Sequence, residues 1–150
     1  MDQARFHEII DFAIEREREA VQFYRDLQAV VQFAARRELL RELEDMEKGH
    51  IKTLEHIKAG TTPFRGRTQV QDLQISRYLV PAPPAPQMSY QDILLTAMKR
   101  EETSHRLYTD LANLSADADL KQLFERLAAE EARHKLHFEK IYDDEILKDN

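Results

Sequence analysis

The stretch EEARHKL, residues 130–136, lies in the last of the apolar-periodic segments of this 150-residue chain. Its Glu131 and His134 are three residues apart, so in a helix they share one face. The same face otherwise carries apolar side chains, namely Leu120, Leu123, Leu127, Phe138 and Ile141. Burying an acid among such neighbours is costly unless its charge is offset. The stretch therefore predicts a polar site inside a helical core.

An internal repeat relates the two halves of the chain, which align without gaps when the sequence is shifted by 84 residues. EKGH at 47–50 thereby becomes the mate of EARH at 131–134, and each has a lone glutamate thirty residues upstream, Glu17 and Glu101. Other aligned pairs are Ala13 with Ala97, Arg16 with Arg100, Tyr24 with Tyr108, Asp26 with Asp110, Leu27 with Leu111, Leu39 with Leu123 and Leu43 with Leu127. Two ExxH motifs in register are a far stronger signal than one.

Other histidines do not share this register. Glu102 and His105 also have ExxH spacing, but their mates are Arg18 and Val21, so His105 is expected to pack without binding metal. Surface positions are expected for the remaining three, His7, His56 and His137.

The spacing of apolar residues predicts four long helices. They are expected over residues 2–31, 34–59, 89–114 and from 115 or 117 toward 147. Asp2 and Ser89 suit N-caps, Ser115 or Asp117 opens the fourth helix, and Gly60 ends the second.

A proline-rich connector separates two helical hairpins. All five prolines fall between positions 63 and 86, and proline interrupts helices. The chain is therefore expected to be one domain, with a first hairpin over about 2–59, a crossover over about 60–88 and a second hairpin over about 89–148. Within the crossover, QVQDLQISRYLV at 69–80 is expected to form a short helix.

The register of the motifs predicts where their side chains meet. Glu17 and Glu47 are equally far from a turn near Gln32, and Glu101 and Glu131 are equally far from a turn near Ala116, so each pair lies level in its hairpin. Packing the hairpins face to face brings four carboxylates and two imidazoles together, and two divalent cations would neutralise the carboxylates. The long crossover fits hairpins with their turns at opposite ends.

Composition excludes several functional classes. The chain has no cysteine, which excludes disulfides, thiolate metal sites and iron–sulfur clusters. Its net charge of -6 argues against a nucleic-acid partner. No apolar run is long enough to span a membrane and no leader pattern precedes the first helix, so a cytoplasmic protein is expected. A homodimer is expected, because the apolar positions of the crossover need a surface to cover.

The motif set EREAVQFY, MEKGH, EETSHRLY and EEARH resembles the rubrerythrin and ferritin superfamily. The resemblance implies an all-α, ferritin-like four-helix bundle with a di-iron or di-manganese carboxylate site in its core. It implies that six residues are metal ligands, with Glu47 and Glu131 bridging: Glu17, Glu47, His50, Glu101, Glu131 and His134. It further implies that Tyr24 and Tyr108 hydrogen-bond ligand carboxylates.

The chain departs from the family pattern in three places. Rubrerythrins proper carry a rubredoxin-like domain with a four-cysteine iron, so here the electron donor must be another protein. They also have a further ligand glutamate where this chain has Ser104, which argues against a mechanism in which one iron changes ligands. Lys48 and Gly49 stand where bacterioferritins have a haem-ligating methionine, so no haem is expected.

The leading hypothesis is a di-iron oxidoreductase that reduces hydrogen peroxide or dioxygen with Fe(II), in an oxidative-stress or iron-handling role. One alternative is a ferroxidase that stores iron in a larger assembly. Another is a non-catalytic bundle that binds zinc or manganese, since these ligands accept iron, manganese and zinc alike.

Overall fold

Four long helices account for most of the chain in the computed structural model, which describes residues 3–31, 33–60, 73–80 and 89–147. The helices are α1 (Gln3–Gln28), α2 (Ala34–Ala59), α3 (Tyr90–Leu114) and α4 (Ala118–Glu145). The predicted all-α class is thereby confirmed. The first helix ends three residues earlier than predicted, because Ala29 and Val30 donate to carbonyls three residues back and tighten the last turn. The predicted N-cap Asp2 lies outside the described residues.

The chain divides into two compact units, Met1–Leu73 and Gln74–Asn150. In the first unit, α1 and α2 form an antiparallel hairpin. Lys58 near the end of α2 pairs with Asp11 at 2.6 Å, and Arg25 near the end of α1 pairs with Glu44 at 3.0 Å. The buried apolar residues of this hairpin are Phe6, Ile9, Ile10, Ala13, Ile14, Val21, Tyr24, Leu27, Val31, Leu40, Leu43, Leu54 and Ile57.

The second unit is built in the same way from α3 and α4. The hydroxyl of Tyr90 at the start of α3 donates to Glu145 at the end of α4, at 2.7 Å. The buried apolar residues of α3 and α4 are Leu94, Ala97, Leu107, Tyr108, Leu111, Ala112, Leu120, Phe124, Leu127, Ala128, Phe138 and Ile141. The predicted pairing of four helices into two hairpins is confirmed.

The repeat also holds for details that the sequence alone misassigned. Leu39 and its mate Leu123 were expected inside the core, but both are only half-buried. Their chain neighbours Leu40 and Phe124, also mates, are 1% and 0% exposed and fill the core instead. The prediction is therefore wrong at this repeated position, whereas Leu43 and Leu127 on the same helices are buried as predicted.

Helix ends follow the predicted capping residues. The Ser89 hydroxyl accepts from the backbone N–H of Asp92, and the Asp117 carboxylate accepts from that of Leu120 at 2.9 Å. Gly60 ends α2 in the left-handed region with φ 75°, where a side chain would be strained. Phe33 occupies the N-cap position of α2 and makes no side-chain cap bond.

The crossover contains one short helix among its described residues, a 3₁₀ helix over Ile75–Tyr78. The expected helix over 69–80 is therefore observed only as this single turn, and residues 69–72 lie outside the described part of the chain. The turn packs on α3: Tyr78 is 2% exposed, and its hydroxyl donates to Asp110 at 2.5 Å. In the first unit, Arg5 donates to the carbonyl of Leu73 at 2.6 Å.

None of the helices in the described part of the chain has the length and apolar character that a membrane span requires.

Candidate functional site

The first hairpin buries an imidazole between two carboxylates. The Nδ1 atom of His50 on α2 lies 3.3 Å from Oε2 of Glu47, one turn earlier on the same helix. The same nitrogen lies 3.6 Å from Oε2 of Glu17 on α1. Relative exposures of Glu17, Glu47 and His50 are 1%, 0% and 4%. We call these three residues the first cluster.

The second hairpin repeats this arrangement with its own residues. The Nδ1 atom of His134 on α4 lies 3.5 Å from Oε2 of Glu101 on α3 and 3.9 Å from Oε2 of Glu131. All three residues are 1% exposed. In both hairpins the same nitrogen faces the same carboxylate oxygens, so the repeat extends to side-chain geometry. We call these residues the second cluster.

Helical periodicity explains how each cluster forms. Glu47 and His50 share a face because they are three residues apart, as are Glu131 and His134. The antiparallel partner helix then brings a single glutamate to the same height. Residues a turn away on the same faces are apolar and buried: Ala13, Leu43, Leu54, Ala97, Leu127 and Phe138. Each cluster is thus a polar island in an apolar stripe, as the sequence predicted.

The donor set of each cluster fits a divalent cation. One carboxylate oxygen each of Glu17 and Glu47 and one ring nitrogen of His50 lie within 4.8 Å of one another. The same holds for Glu101, Glu131 and His134. Two ligands at about 2.1 Å from one metal ion lie at most about 4.2 Å apart, so only small movements are needed. The buried Oε2 atom of Glu101 accepts no hydrogen bond from the described residues, and a buried carboxylate oxygen without a donor is costly. A metal ion would remove that cost, and iron, manganese and zinc all accept these ligands.

Tyr24 and Tyr108 lie seven residues after the lone glutamates of the two clusters. Both are 1% exposed, and the ring of Tyr108 stacks on Phe124 with centroids 6.4 Å apart. Seven residues correspond to about 10.5 Å along a helix. Their hydrogen bonding to ligand carboxylates stays a prediction.

The remaining four histidines lie outside the two clusters. The Nδ1 atom of His105 lies 2.8 Å from the backbone carbonyl of Ala128, which fixes the ring in the packing of the hairpin. Its ExxH partner Glu102 is exposed. His56 is exposed, whereas His7 and His137 are half-buried and only partly fit the predicted surface location.

The sequence reasoning missed a third buried acid of the first hairpin, Glu44, which lies one turn before Glu47. It is 7% exposed and accepts hydrogen bonds from Arg25 at 3.0 Å, Lys48 at 2.9 Å and Gln28 at 2.8 Å. Burial alone would raise the pKa of Glu44, but these donors lower it to about 2. The sequence did contain a signal that Glu44 is buried: it follows the buried Leu40 by four residues and so lies on the apolar face of α2.

The comparisons with known proteins agree with the predicted resemblance. The family model of rubrerythrin matches residues 92–150, which hold the whole second cluster. No curated protein matches the chain. Among solved structures, the chain is similar to a hypothetical protein from Pyrococcus furiosus, with a TM-score of 0.71 and 24% identity over 91% of this chain and 87% of that one. This likeness concerns the fold alone.

The second hairpin is therefore rubrerythrin-like in sequence, and the described part of the chain is all-α. Each hairpin contains a buried group of carboxylates and an imidazole that could hold metal.

Proposed function

We propose that this chain is a non-haem di-iron oxidoreductase that reduces hydrogen peroxide or dioxygen with electrons from bound ferrous ions. The observation that carries the proposal is the repeated cluster. In each hairpin one histidine Nδ1 atom lies within 3.9 Å of two buried glutamate carboxylates. The rubrerythrin match supports it, because it covers all three residues of the second cluster.

In this proposal the six cluster residues are the ligands of two metal ions. Two divalent cations would cancel the charge of the four carboxylates, which lowers the energetic cost of burying them. Glu47 and Glu131 are proposed as the carboxylates shared by both ions, by likeness to the family. Imidazole and carboxylate ligands together would suit iron that reacts with small oxidants.

When bound, two ferrous ions would supply two electrons, which with two protons would reduce hydrogen peroxide to two water molecules. The chain's own residues set the conditions for this chemistry. Apolar side chains such as Leu54 and Leu127 keep bulk water from the carboxylates, which strengthens their hold on a cation. Tyr24 and Tyr108 are proposed to orient ligand carboxylates by hydrogen bonding.

The electrons that return the iron to the ferrous state must come from outside the chain. The sequence has no cysteine, so it cannot hold a rubredoxin-type iron centre. We propose a separate electron-donor protein as partner, and a cytoplasmic homodimer as the working form.

The experiment that tests the proposal is anaerobic loading with Fe(II), followed by stopped-flow mixing with hydrogen peroxide or dioxygen. The expected result is rapid formation of the near-ultraviolet absorption of an oxo-bridged ferric pair. His134→Ala should lose most of this absorption, while His56→Ala, which removes an exposed histidine, should keep it. Protein that binds Fe(II) but gives no such absorption with either oxidant would contradict the proposal. A large assembly on size-exclusion chromatography, with dioxygen as the faster oxidant, would favour iron storage.

A further inference from the structure

Tyr78 is a buried tyrosine outside both the repeat and the metal clusters. It lies on the 3₁₀ helix of the crossover and is 2% exposed. Its hydroxyl donates to Oδ2 of Asp110 on α3 at 2.5 Å. That separation is typical of a charge-assisted O–H···O⁻ hydrogen bond, which is short and strong.

The surroundings of Tyr78 hold both partners in place. The guanidinium carbon of Arg106 lies 5.6 Å from the centroid of the Tyr78 ring, and the same guanidinium donates to the carbonyl of Arg77. Burial, together with the bond to Asp110, raises the pKa of Tyr78 far above its usual value. The phenol therefore keeps its proton at neutral pH, with that proton directed at a carboxylate.

This geometry matters for one-electron chemistry. A phenol that loses an electron becomes strongly acidic, so its oxidation is easy only where a base can take the hydroxyl proton at once. Asp110 is such a base, since an ionised carboxylate accepts a proton across an existing hydrogen bond. No side chain needs to move for the transfer.

We infer that Tyr78 is a redox-active tyrosine, with Asp110 as its proton acceptor. In the step, the O–H bond of Tyr78 breaks and an O–H bond forms on the Asp110 carboxylate. One electron passes to the oxidant, and a neutral tyrosyl radical remains. A one-electron reductant then restores the phenol as the proton returns.

The natural oxidant would be dioxygen at the loaded metal site, so the inference rests on the proposed function. Reduction of dioxygen to water takes four electrons and two ferrous ions would supply two, so Tyr78 could supply a further one. Asp110 follows Glu101 of the second cluster by nine residues of α3, which is about 13.5 Å along the helix axis. Electrons tunnel through protein over such separations during enzyme turnover. Tyr78 would thus consume an oxidising equivalent that otherwise damages the ligands when no donor protein is bound.

Two features of the chain provide matched comparisons. Tyr90 also donates to a carboxylate, Glu145, at 2.7 Å, but its ring is only half-buried. Asp26, the repeat mate of Asp110, accepts from Gln22 at 2.8 Å, so this contact of the first hairpin involves an amide in place of a phenol.

The bond between Tyr78 and Asp110 also fixes the crossover to α3, and Asp110→Asn separates the two roles. The amide oxygen of asparagine can still accept the hydrogen bond, so the crossover stays in place. It cannot take up the proton at neutral pH, so a redox role is lost while a purely structural role survives.

The test uses metal-free full-length protein oxidised by a flash with a ruthenium tris-bipyridine photosensitiser, with the tyrosyl radical detected by its absorption and by electron paramagnetic resonance. We expect Tyr78→Phe to lose most of the long-lived radical, Asp110→Asn to lose a similar share, and Tyr90→Phe to match the unmodified protein. Circular dichroism establishes that each variant is folded. Equal radical yields in the unmodified protein, Tyr78→Phe and Asp110→Asn would overturn the inference.

A second arm mixes Fe(II)-loaded protein with dioxygen, which takes more electrons than two ferrous ions supply, and freezes it within milliseconds. The expected result is the same radical signal, absent from Tyr78→Phe. Its absence from the unmodified protein with oxidised iron present would overturn the link to the metal centre. Failure to bind or oxidise Fe(II), with the flash-generated radical still on Tyr78, would instead overturn the proposed function.

Discussion

Two carboxylates one turn apart on α2 illustrate how a buried acid is made tolerable. Glu44 is surrounded by donors, with Lys48 at 2.9 Å and Gln28 at 2.8 Å. Glu47 instead faces the imidazole of His50 at 3.3 Å. The side chains around Glu44 are hydrogen-bond donors that stabilise its charge. Glu47 and His50, by contrast, are residue types that bind metal ions. The difference predicts that Glu44 stabilises the fold and that Glu47 serves binding.

The stabilising role of Glu44 should depend on pH. Its pKa lies at about 2 in the folded protein against a reference value of 4.5. A carboxyl whose pKa is depressed by folding stabilises the native state above its unfolded pKa, and this contribution is lost as the pH falls from about 4.5 to about 2. Glu44→Gln should therefore lower the free energy of unfolding of the metal-free protein by about 1–2 kcal/mol at pH 7 and by less at pH 3.

Urea unfolding at the two pH values checks this prediction. Glu42→Gln is the matched control, because Glu42 is an exposed acid on the same helix. A loss for Glu44→Gln that is equal at pH 7 and pH 3 would show that its charge is not the cause.

The repeat explains which residues could be found from the sequence. The six cluster residues were identifiable because both halves carry them at the same positions. Glu44 was missed because its mate is Ala128, and its donors Arg25, Gln28 and Lys48 align with Thr109, Ala112 and Ala132. A repeat reveals only what two halves share, so a feature added to one half needs coordinates.

At the scale of single helices, the two hairpins begin their second helices differently at equivalent positions. Phe33 and Asp117 are repeat mates, and each precedes a helix with extended backbone angles. Asp117 caps α4 through its carboxylate, whereas Phe33 makes no side-chain cap bond and is 65% exposed. The N-terminus of α2 therefore lacks a side-chain cap that the equivalent position of α4 has.

Phe33→Asp should stabilise the protein by about 1 kcal/mol, because an aspartate at this position can accept from the first backbone N–H groups of α2. Thermal unfolding of the metal-free protein measures the effect. Phe33→Ala removes the same exposed ring without supplying a cap. An equal gain from both substitutions would assign the effect to the ring.

Asp117→Ala should destabilise the protein by about 0.5–2 kcal/mol, through loss of the bond to the Leu120 N–H. Asp117→Asn should be nearly neutral, since asparagine caps about as well. Chemical denaturation of the three proteins provides the comparison. A large loss for the asparagine variant would point to the charge of Asp117 in place of its cap.

Helix bounds were predicted well where local signals set them, as at Ser89 and Gly60. The crossover was predicted less well, because its described turn over Ile75–Tyr78 is fixed by contacts with Asp110 and Arg106 on α3. Such contacts join residues about thirty positions apart in the chain. Apolar periodicity carries no information about them.

At the scale of the whole molecule, each of the two duplicated hairpins contributes a buried cluster that could hold metal. A ligand that binds only the folded state stabilises it by mass action. Zn²⁺ or Co²⁺ should therefore raise the free energy of unfolding of metal-free protein, by about 2.7 kcal/mol at a free concentration one hundred times the dissociation constant. Chelation with EDTA should reverse the gain.

Scanning calorimetry with and without metal measures this stabilisation by bound metal. His50→Ala and His134→Ala should each lose part of the gain, while the exposed His56→Ala should keep it. Full gains in both cluster variants would mean that the metal binds elsewhere.

The central claim is tested most directly by counting metal ions. Equilibrium dialysis of the metal-free chain against Fe(II) under anaerobic conditions should give two tightly bound ions per chain, as expected of a di-iron carboxylate site. His50→Ala and His134→Ala should each bind about one fewer, because each removes the only imidazole of its cluster. A chain that binds no Fe(II) tightly, or that binds two ions undiminished in both variants, would contradict the account.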